Sequence, residues 1–496
     1  YAYNCTFINN TAAMHGGAVY LTNTTYNPLN NNTGFDLCTF TNNTAGQNGG
    51  AVDWYAGATH GYIYNSNFTN NTAKRSGGAI HWSGYYGDVI NSTFTNNKAT
   101  GEVVSEIGGK TGGGDGGAIV WVGSHGLVKN STFTYNYAKL RGGAIFVHGN
   151  STIDSTNTTV DNCTFKYNTA EVNGGGVDWQ DGAHNGTLIN SIFINNTAWR
   201  SGGGAYWNGY NGTLINCSFS NNHAWGNWTG TVPTGVVIVT DTIGGNGGAM
   251  VWRGSIGDID NCNFTGNTAL YLGGAIHLRY NTNITFSNCN FTSNYAGFNK
   301  SAYDDYNDTV GSHGGAIYFN TGAVNCTITS STFDDNIAES NGGALAWHDG
   351  AEHGVIISTN FTNNTAKRNG GAIYWNGHNG TIQHSRFINN RATGENKEYK
   401  WNISMGTEIV RGNNGNLILG DIYVIQGSQL PSTTPTLSDE NKLFVLNYTS
   451  AKGLEFKSYV AHKKSDDTYE WKKLDEIVIN VSESIISPVD WAIDIS

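Results

Sequence analysis

Residues 361–373, FTNNTAKRNGGAI, decide the fold, because close copies of this stretch recur from residue 7 to residue 390. With Phe as position 0, the copies begin at Phe7, Phe40, Phe68, Phe94, Phe133, Phe165, Phe193, Phe219, Phe264, Phe291, Phe333, Phe361 and Phe387. Every copy carries Asn at +3 and Ala at +5. In most, a Gly pair follows at +9, as in Gly77-Gly78, and then a short apolar run such as Ala79-Ile80-His81-Trp82. Self-similarity at a period of roughly 26 to 33 residues marks a solenoid, whose units cannot bury their apolar faces alone and must stack.

Residue type and local period choose between a helical and a β solenoid. Gly, Asn, Thr and Ser dominate, and apolar positions alternate at period two. Ile80 and Trp82 share one face with His81 on the other, and Val52, Asp53 and Trp54 repeat the arrangement. The pattern predicts an all-β fold, a parallel β-helix of about thirteen coils with three short strands per coil, divided by Asn and Gly-Gly corners. At about 4.8 Å per coil such an array is roughly 60 Å long.

A polar residue at an inward corner needs a reason. In-register side-chain amides can hydrogen-bond the coils above and below, so Asn10, Asn43, Asn71, Asn97, Asn136, Asn168, Asn196, Asn222, Asn267, Asn294, Asn336, Asn364 and Asn390 are expected to form a structural ladder. The cysteines Cys5, Cys38, Cys163, Cys217, Cys262 and Cys289 all stand at −2, where other copies have Ser or Thr. They read as small buried thiols rather than a disulfide framework, because parallel side-chain vectors suit a disulfide poorly.

Only 13% of the 496 residues are charged and the net charge is −11, which argues against nucleic acid or an anionic membrane as partner. No apolar run approaches the length of a transmembrane helix. A first domain is assigned to residues 1–411 and a C-terminal cap or small β domain to 412–496, where the repeat stops and Lys, Glu and Pro rise. Residues 443–448, 459–462 and 477–481 read as strands there. A cap is needed because an open terminal coil exposes unpaired strand edges.

A longer period is also visible. The runs DWYAGATHG, DWQDGAHNG and AWHDGAEHG follow the copies at Phe40, Phe165 and Phe333, which defines super-repeats of about four coils. Insertions at 100–115, 225–246, 297–313 and 393–411 all precede a Gly pair or its expected place, so they should line one edge. Loops on a rigid scaffold are where specificity usually lies.

The combination of GGA plus an aliphatic residue with FxxN resembles the repeats of chlamydial polymorphic outer-membrane proteins. It is also similar to adhesin-like surface proteins of methanogenic archaea, a comparison favoured by the lack of an outer-membrane barrel. The resemblance covers roughly residues 1–390. It implies a right-handed parallel β-helix, exported to the extracellular cell surface, acting in attachment or envelope structure, with no catalytic residues to carry over.

About thirty N-x-S/T triplets occur. Glycosylation is expected at +2 (Asn9, Asn42, Asn70, Asn195, Asn363) and at −1 (Asn67, Asn263, Asn290, Asn360), while −3 residues such as Asn91 and Asn216 are expected inward and bare. Three constellations could carry chemistry. Asp53, His60 and His81, with Asp178, Asp181, His184 and Tyr206, and Asp349, His353 and Tyr374, could hold paired carboxylates of a polysaccharide hydrolase or lyase. The third copy has Ala346 in place of Asp, so a solvated face is the plainer reading. The row Trp54, Trp82, Trp121, Trp179, Trp207, Trp252, Trp347 and Trp375 reads as stacked core, or as a sugar platform if it faces outward. Asp304, Asp305, Asn307 and Asp308 offer oxygen ligands for Ca2+ at a spacing that matches no established calcium loop. The expectation is a non-enzymatic adhesin or envelope protein without cofactor or resident metal, binding cell-surface glycans or proteins and self-associating. The alternative is a polysaccharide-active β-helix enzyme.

Overall fold

Each repeat before that of Phe387 folds into four short strands, and a residue with left-handed backbone stands at each described corner. In the coil of Phe68 the strands are Tyr62–Tyr64, Asn67–Thr69, Thr72–Ala73 and Ile80–Trp82. His60, Asn65, Asn70 and Gly77 take φ of 55°, 48°, 56° and 70° at the corners. Asn tolerates this conformation better than other side chains and Gly carries no penalty there, which accounts for the corner composition.

Four strands replace the three expected. The residue at −3 splits what alternation alone reads as one strand, because a left-handed residue interrupts the pleat. Two successive residues then face outward: Ile63 is buried, Tyr64 half-buried, Asn65 exposed and Ser66 buried again. For the same reason Asn91 and Asn216 are exposed, which corrects their expected inward placement.

The computed structural model describes residues 1–22, 33–55, 59–101, 113–149, 156–180, 182–226, 244–280, 283–297, 311–348, 350–368, 370–375, 380–388 and 390–392 of the repeat array. Further along it describes 422–426, 429–430, 432–436, 443–450, 453–464, 466, 468–474, 477–480 and 490–495. The chain forms two compact units, residues 1–270 and 271–496.

In the first unit the strands of successive coils pair in parallel, with Phe40, Phe68, Phe94, Phe133 and Phe165 in register. Their rings stack at 4.6 to 4.9 Å. A second column, Trp54, Trp82 and Trp121, stacks at 4.2 and 4.9 Å, is replaced by Val147 in the next coil, and resumes with Trp179, Trp207 and Trp252. All eight tryptophans of the row in the two units are fully buried, so it is core and offers no sugar platform. The indoles also explain the glycines that follow them: a Cβ on Gly126 would overlap the Trp121 ring.

The inward amides satisfy one another completely. Asn71 Nδ2 donates to Asn97 Oδ1 and to the Phe40 carbonyl, both at 3.0 Å. Its Oδ1 accepts from the backbone N–H and Nδ2 of Asn43 at 3.0 and 2.9 Å. The same arrangement holds for Asn97, Asn136, Asn168 and Asn196, all buried, whereas Asn10 in the first coil is exposed. A parallel ladder runs along −2, where Cys38 N donates to Ser66 Oγ at 3.0 Å and Ser66 N to Ser92 Oγ at 3.2 Å. Cys217 N donates likewise to Cys262 Sγ at 3.4 Å, so the thiols stand in for hydroxyls, and all seven cysteines are free.

In the second unit Phe291, Phe333, Phe361 and Phe387 stack at 4.6 to 5.0 Å, and Phe319, Trp347 and Trp375 form the other column. Ladder contacts recur from Asn294 through Asn336 and Asn364 to Asn390. Beyond the repeats, Ile422–Gln426, Leu443–Ser450, Gly453–Lys463 and Tyr469–Leu474 form a four-stranded sheet. Ile422–Gln426 and Tyr469–Leu474 were not foreseen as strands. Asp490–Ile495 pairs antiparallel with Gly380–Ile388 of the last coil, and Ile477–Asn480 pairs with Asp490–Ile495 in turn. Part of the edge of the final coil is thereby closed by the chain's own C-terminal strands.

Candidate functional site

The middle residue of each fourth strand, at +13 where the coil carries no insertion, points away from the Phe and Trp columns. In the first unit this outer row is Tyr20, Asp53, His81, Val120, Phe146, Asp178, Tyr206 and Val251, all in register. Beside it runs the residue before each Gly pair, including His15, Arg141, Asn173 and Ser201. The row is not the solvated face that composition suggested. Asp53 and Asp178 are fully buried, and Val120, Phe146, Tyr206 and Val251 are also buried.

Two polar clusters result. In the first, Asp53 Oδ2 lies 2.8 Å from His15 Nδ1 and Oδ1 lies 2.9 Å from His81 Nδ1. Burial pushes the Asp53 carboxyl up, but the contacts with His81 and His15 outweigh it and hold the group below its ordinary range. Tyr20 stacks on His15 at 5.5 Å and remains half-exposed. In the second, Arg141 grips Asp115 through Nε and a terminal nitrogen at 2.9 and 3.0 Å and lies 4.5 Å over the Phe146 ring. Asp178 Oδ1 accepts from Gln180 Nε2 at 2.6 Å, while Oδ2 has no hydrogen-bond partner among the described residues. Burial drives the Asp178 carboxyl well above its ordinary range against the opposing charge of Arg141. Its register neighbour Tyr206 accepts from Arg253 at 3.2 Å. Burial also pushes His148 down to about 4.

The structure regroups the residues singled out from sequence. Asp53 meets His81 but not His60, which stacks instead on Tyr86 at 4.9 Å at the −8 corner, with His125 next at 4.7 Å. His184 packs on Tyr210 at 4.3 Å beside the corresponding corner, where Asn185 is the left-handed residue, and His353 takes the left-handed conformation of His60. In the second unit the described residues of the row are His277, Tyr318, Ala346 and Tyr374, with no carboxylate among them. Asp181, Asp349 and the acidic group Asp304, Asp305, Asn307 and Asp308 lie outside the described residues. His15, Asp115, Arg141 and Arg253 were missed. The legible signal for His15 and Arg141 was a polar residue immediately before the Gly pair, at a position next to the outer row.

The feet of two insertions occupy equivalent corners. Gly114 N donates to the Arg75 carbonyl and Gly245 N to the Arg200 carbonyl, and Arg75 and Arg200 hold matching places in KRSGG and WRSGG. The loops themselves, 102–112 and 227–243, and the insertions at 298–310 and 393–421, lie outside the described residues.

Two family matches agree with this geometry. Residues 117–312 match a right handed beta helix region, and residues 4–22, 37–53, 65–81 and 358–374 match the Chlamydia polymorphic membrane protein repeat. Comparison with curated proteins finds no match. The fold is thus a right-handed parallel β-helix built from repeats similar to those of a membrane-protein family, consistent with a protein of the cell surface.

Proposed function

We propose that this chain is an extracellular adhesin or envelope structural protein, non-catalytic, that engages surface glycans or partner proteins through its insertion edge. The observation that carries the reading is the shared exit corner of the insertions beside Arg75 and Arg200, one super-repeat apart. Ordering extra residues without adding a core strand costs conformational entropy, and a repeated edge supplies multivalent contact in return. The likeness to surface proteins of methanogenic archaea belongs to the same proposal. Joint deletion of residues 102–112 and 227–243, followed by assays of folding, surface assembly and attachment, tests it. A folded variant that no longer attaches or assembles supports the edge; full retention of both overturns it.

The enzymatic alternative draws on Asp178, whose elevated carboxyl resembles a general acid. Its carboxylate companion in the row, Asp53, is four coils away, about 19 Å at the usual strand spacing. Paired glycosidase carboxyls stand roughly 5 to 9.5 Å apart. Asp115 is already bound to Arg141. These distances and pairings favour the binding role.

A further inference from the structure

The outer corners carry their own amide ladders, and these sort asparagines that look alike in sequence. Asn130 and Asn162 both stand at −3 of consecutive coils, both begin N-x-T triplets (NST and NCT), both have φ of 50°, and both are exposed. Beyond the middle residue of the triplet, they differ in their amide contacts. Asn162 Nδ2 donates to Asn130 Oδ1 at 2.8 Å, whereas Asn130 Nδ2 donates to no described residue. The NGT pair Asn185 and Asn211 repeats the contrast at −8, with Asn211 Nδ2 donating to Asn185 Oδ1 at 2.8 Å. Asn91 and Asn216 are committed donors as well, to Asn65 at 3.2 Å and Asn190 at 3.1 Å.

The triplet has a structural cause of its own. A left-handed Asn turns the corner, a small residue such as Ser131 or Cys163 enters the core, and Thr132 or Thr164 opens the next strand. N-x-T abundance therefore follows from the coil and does not by itself mark modification.

We propose that the folded coil selects its N-glycosylation sites by ladder position: Asn130 and Asn185, whose amide nitrogens are uncommitted, accept a glycan, and Asn162 and Asn211 stay bare. In the transfer, Nδ2 forms a bond to the anomeric carbon of a lipid-linked glycosyl pyrophosphate, the bond from that carbon to the pyrophosphate oxygen breaks, and Nδ2 loses one proton. A nitrogen held by its neighbour must first leave that hydrogen bond, which at typical net strength lowers reactivity roughly fivefold. The inference needs an exported or otherwise glycan-accessible chain, but not the adhesive role of the insertion edge.

The test treats the folded full chain with an N-x-S/T oligosaccharyltransferase and a lipid-pyrophosphate oligosaccharide, then maps glycopeptides by mass spectrometry. Occupancy at Asn130 should exceed that at Asn162 by roughly fivefold. Asn130→Ala removes the acceptor and should move modification to Asn162, whereas Asn130→Asp keeps an acceptor oxygen and should leave Asn162 bare. Circular dichroism confirms that each variant is folded, and the pair Asn185 and Asn211 in the unaltered chain provides an independent readout that needs no variant at 130. Equal occupancy within both pairs, no occupancy at Asn130 and Asn185, or an Asn162 indifferent to the residue at 130 overturns the proposal.

Discussion

Asparagine serves this chain in two chemically distinct ways. At the left-handed corners its backbone tolerance is what matters, while at +3 its side chain is fully enclosed and must have every polar atom paired. Asn196 shows the second role: Nδ2 donates to Phe165 O and Asn222 Oδ1, and Oδ1 accepts from the N–H and Nδ2 of Asn168. Replacing it with Leu keeps the volume and strands several buried partners, each at a cost of about 1 to 3 kcal/mol. Asn196→Leu should therefore destabilise its unit by about 3 kcal/mol or more. Asn10→Leu, at the exposed first rung, should cost less than about 0.5 kcal/mol. Urea midpoints together with hydrogen exchange of the neighbouring coils check this, since repeat arrays need not unfold in one step. Equal effects at the two positions would remove the ladder from the account of stability.

At the scale of one coil, the fourth strand and the turn after it are joined by the Trp and Gly pair. The glycine has no side chain because the indole occupies the place where one would go, as at Gly126 over Trp121. Gly126→Ala should cost about 1 to 3 kcal/mol through overpacking. A companion change of Trp121 to Val, the residue that Val147 supplies in the next coil, carries a cavity cost of its own, but the double variant should lose less than the sum of the two single losses. Thermal unfolding of the single and double variants decides the matter: purely additive losses would show that the ring and the glycine are not coupled. The outer row on the same strand was named from sequence only in part. Asp53, His81, Asp178 and Tyr206 could be read as one outward face from alternation, yet their burial could not, because it depends on chain that does not belong to the strand.

At the scale of the second unit, edge protection is the main question. A stack of parallel strands ends in a row of unpaired backbone groups, and Asp490–Ile495 covers part of that row on Gly380–Ile388, backed by Ile477–Asn480. Removing residues 477–496 should leave the earlier coils folded, raise hydrogen exchange in 380–392, and promote edge-to-edge association seen by size exclusion and light scattering. Unchanged exchange in 380–392 would show that the strands add nothing to the last coil.

The repeat unit, the solenoid class and the inward set of Phe, Ala, Trp and Asn were legible in the chain itself. Repetition and period-two alternation are local properties, and identical units stacked in register need no further information to place like on like. What only the tertiary structure decided lies between coils. A left-handed residue at −3 divides one apparent strand into two and turns Asn91 and Asn216 outward. His15 reaches Asp53 across 38 residues, and Arg141 reaches back 26 residues to Asp115. Asn130 and Asn162 are told apart by which amide donates to which. These side-chain pairings depend on a residue one coil away, at a separation that insertions make irregular, so no reading of a single repeat contains them.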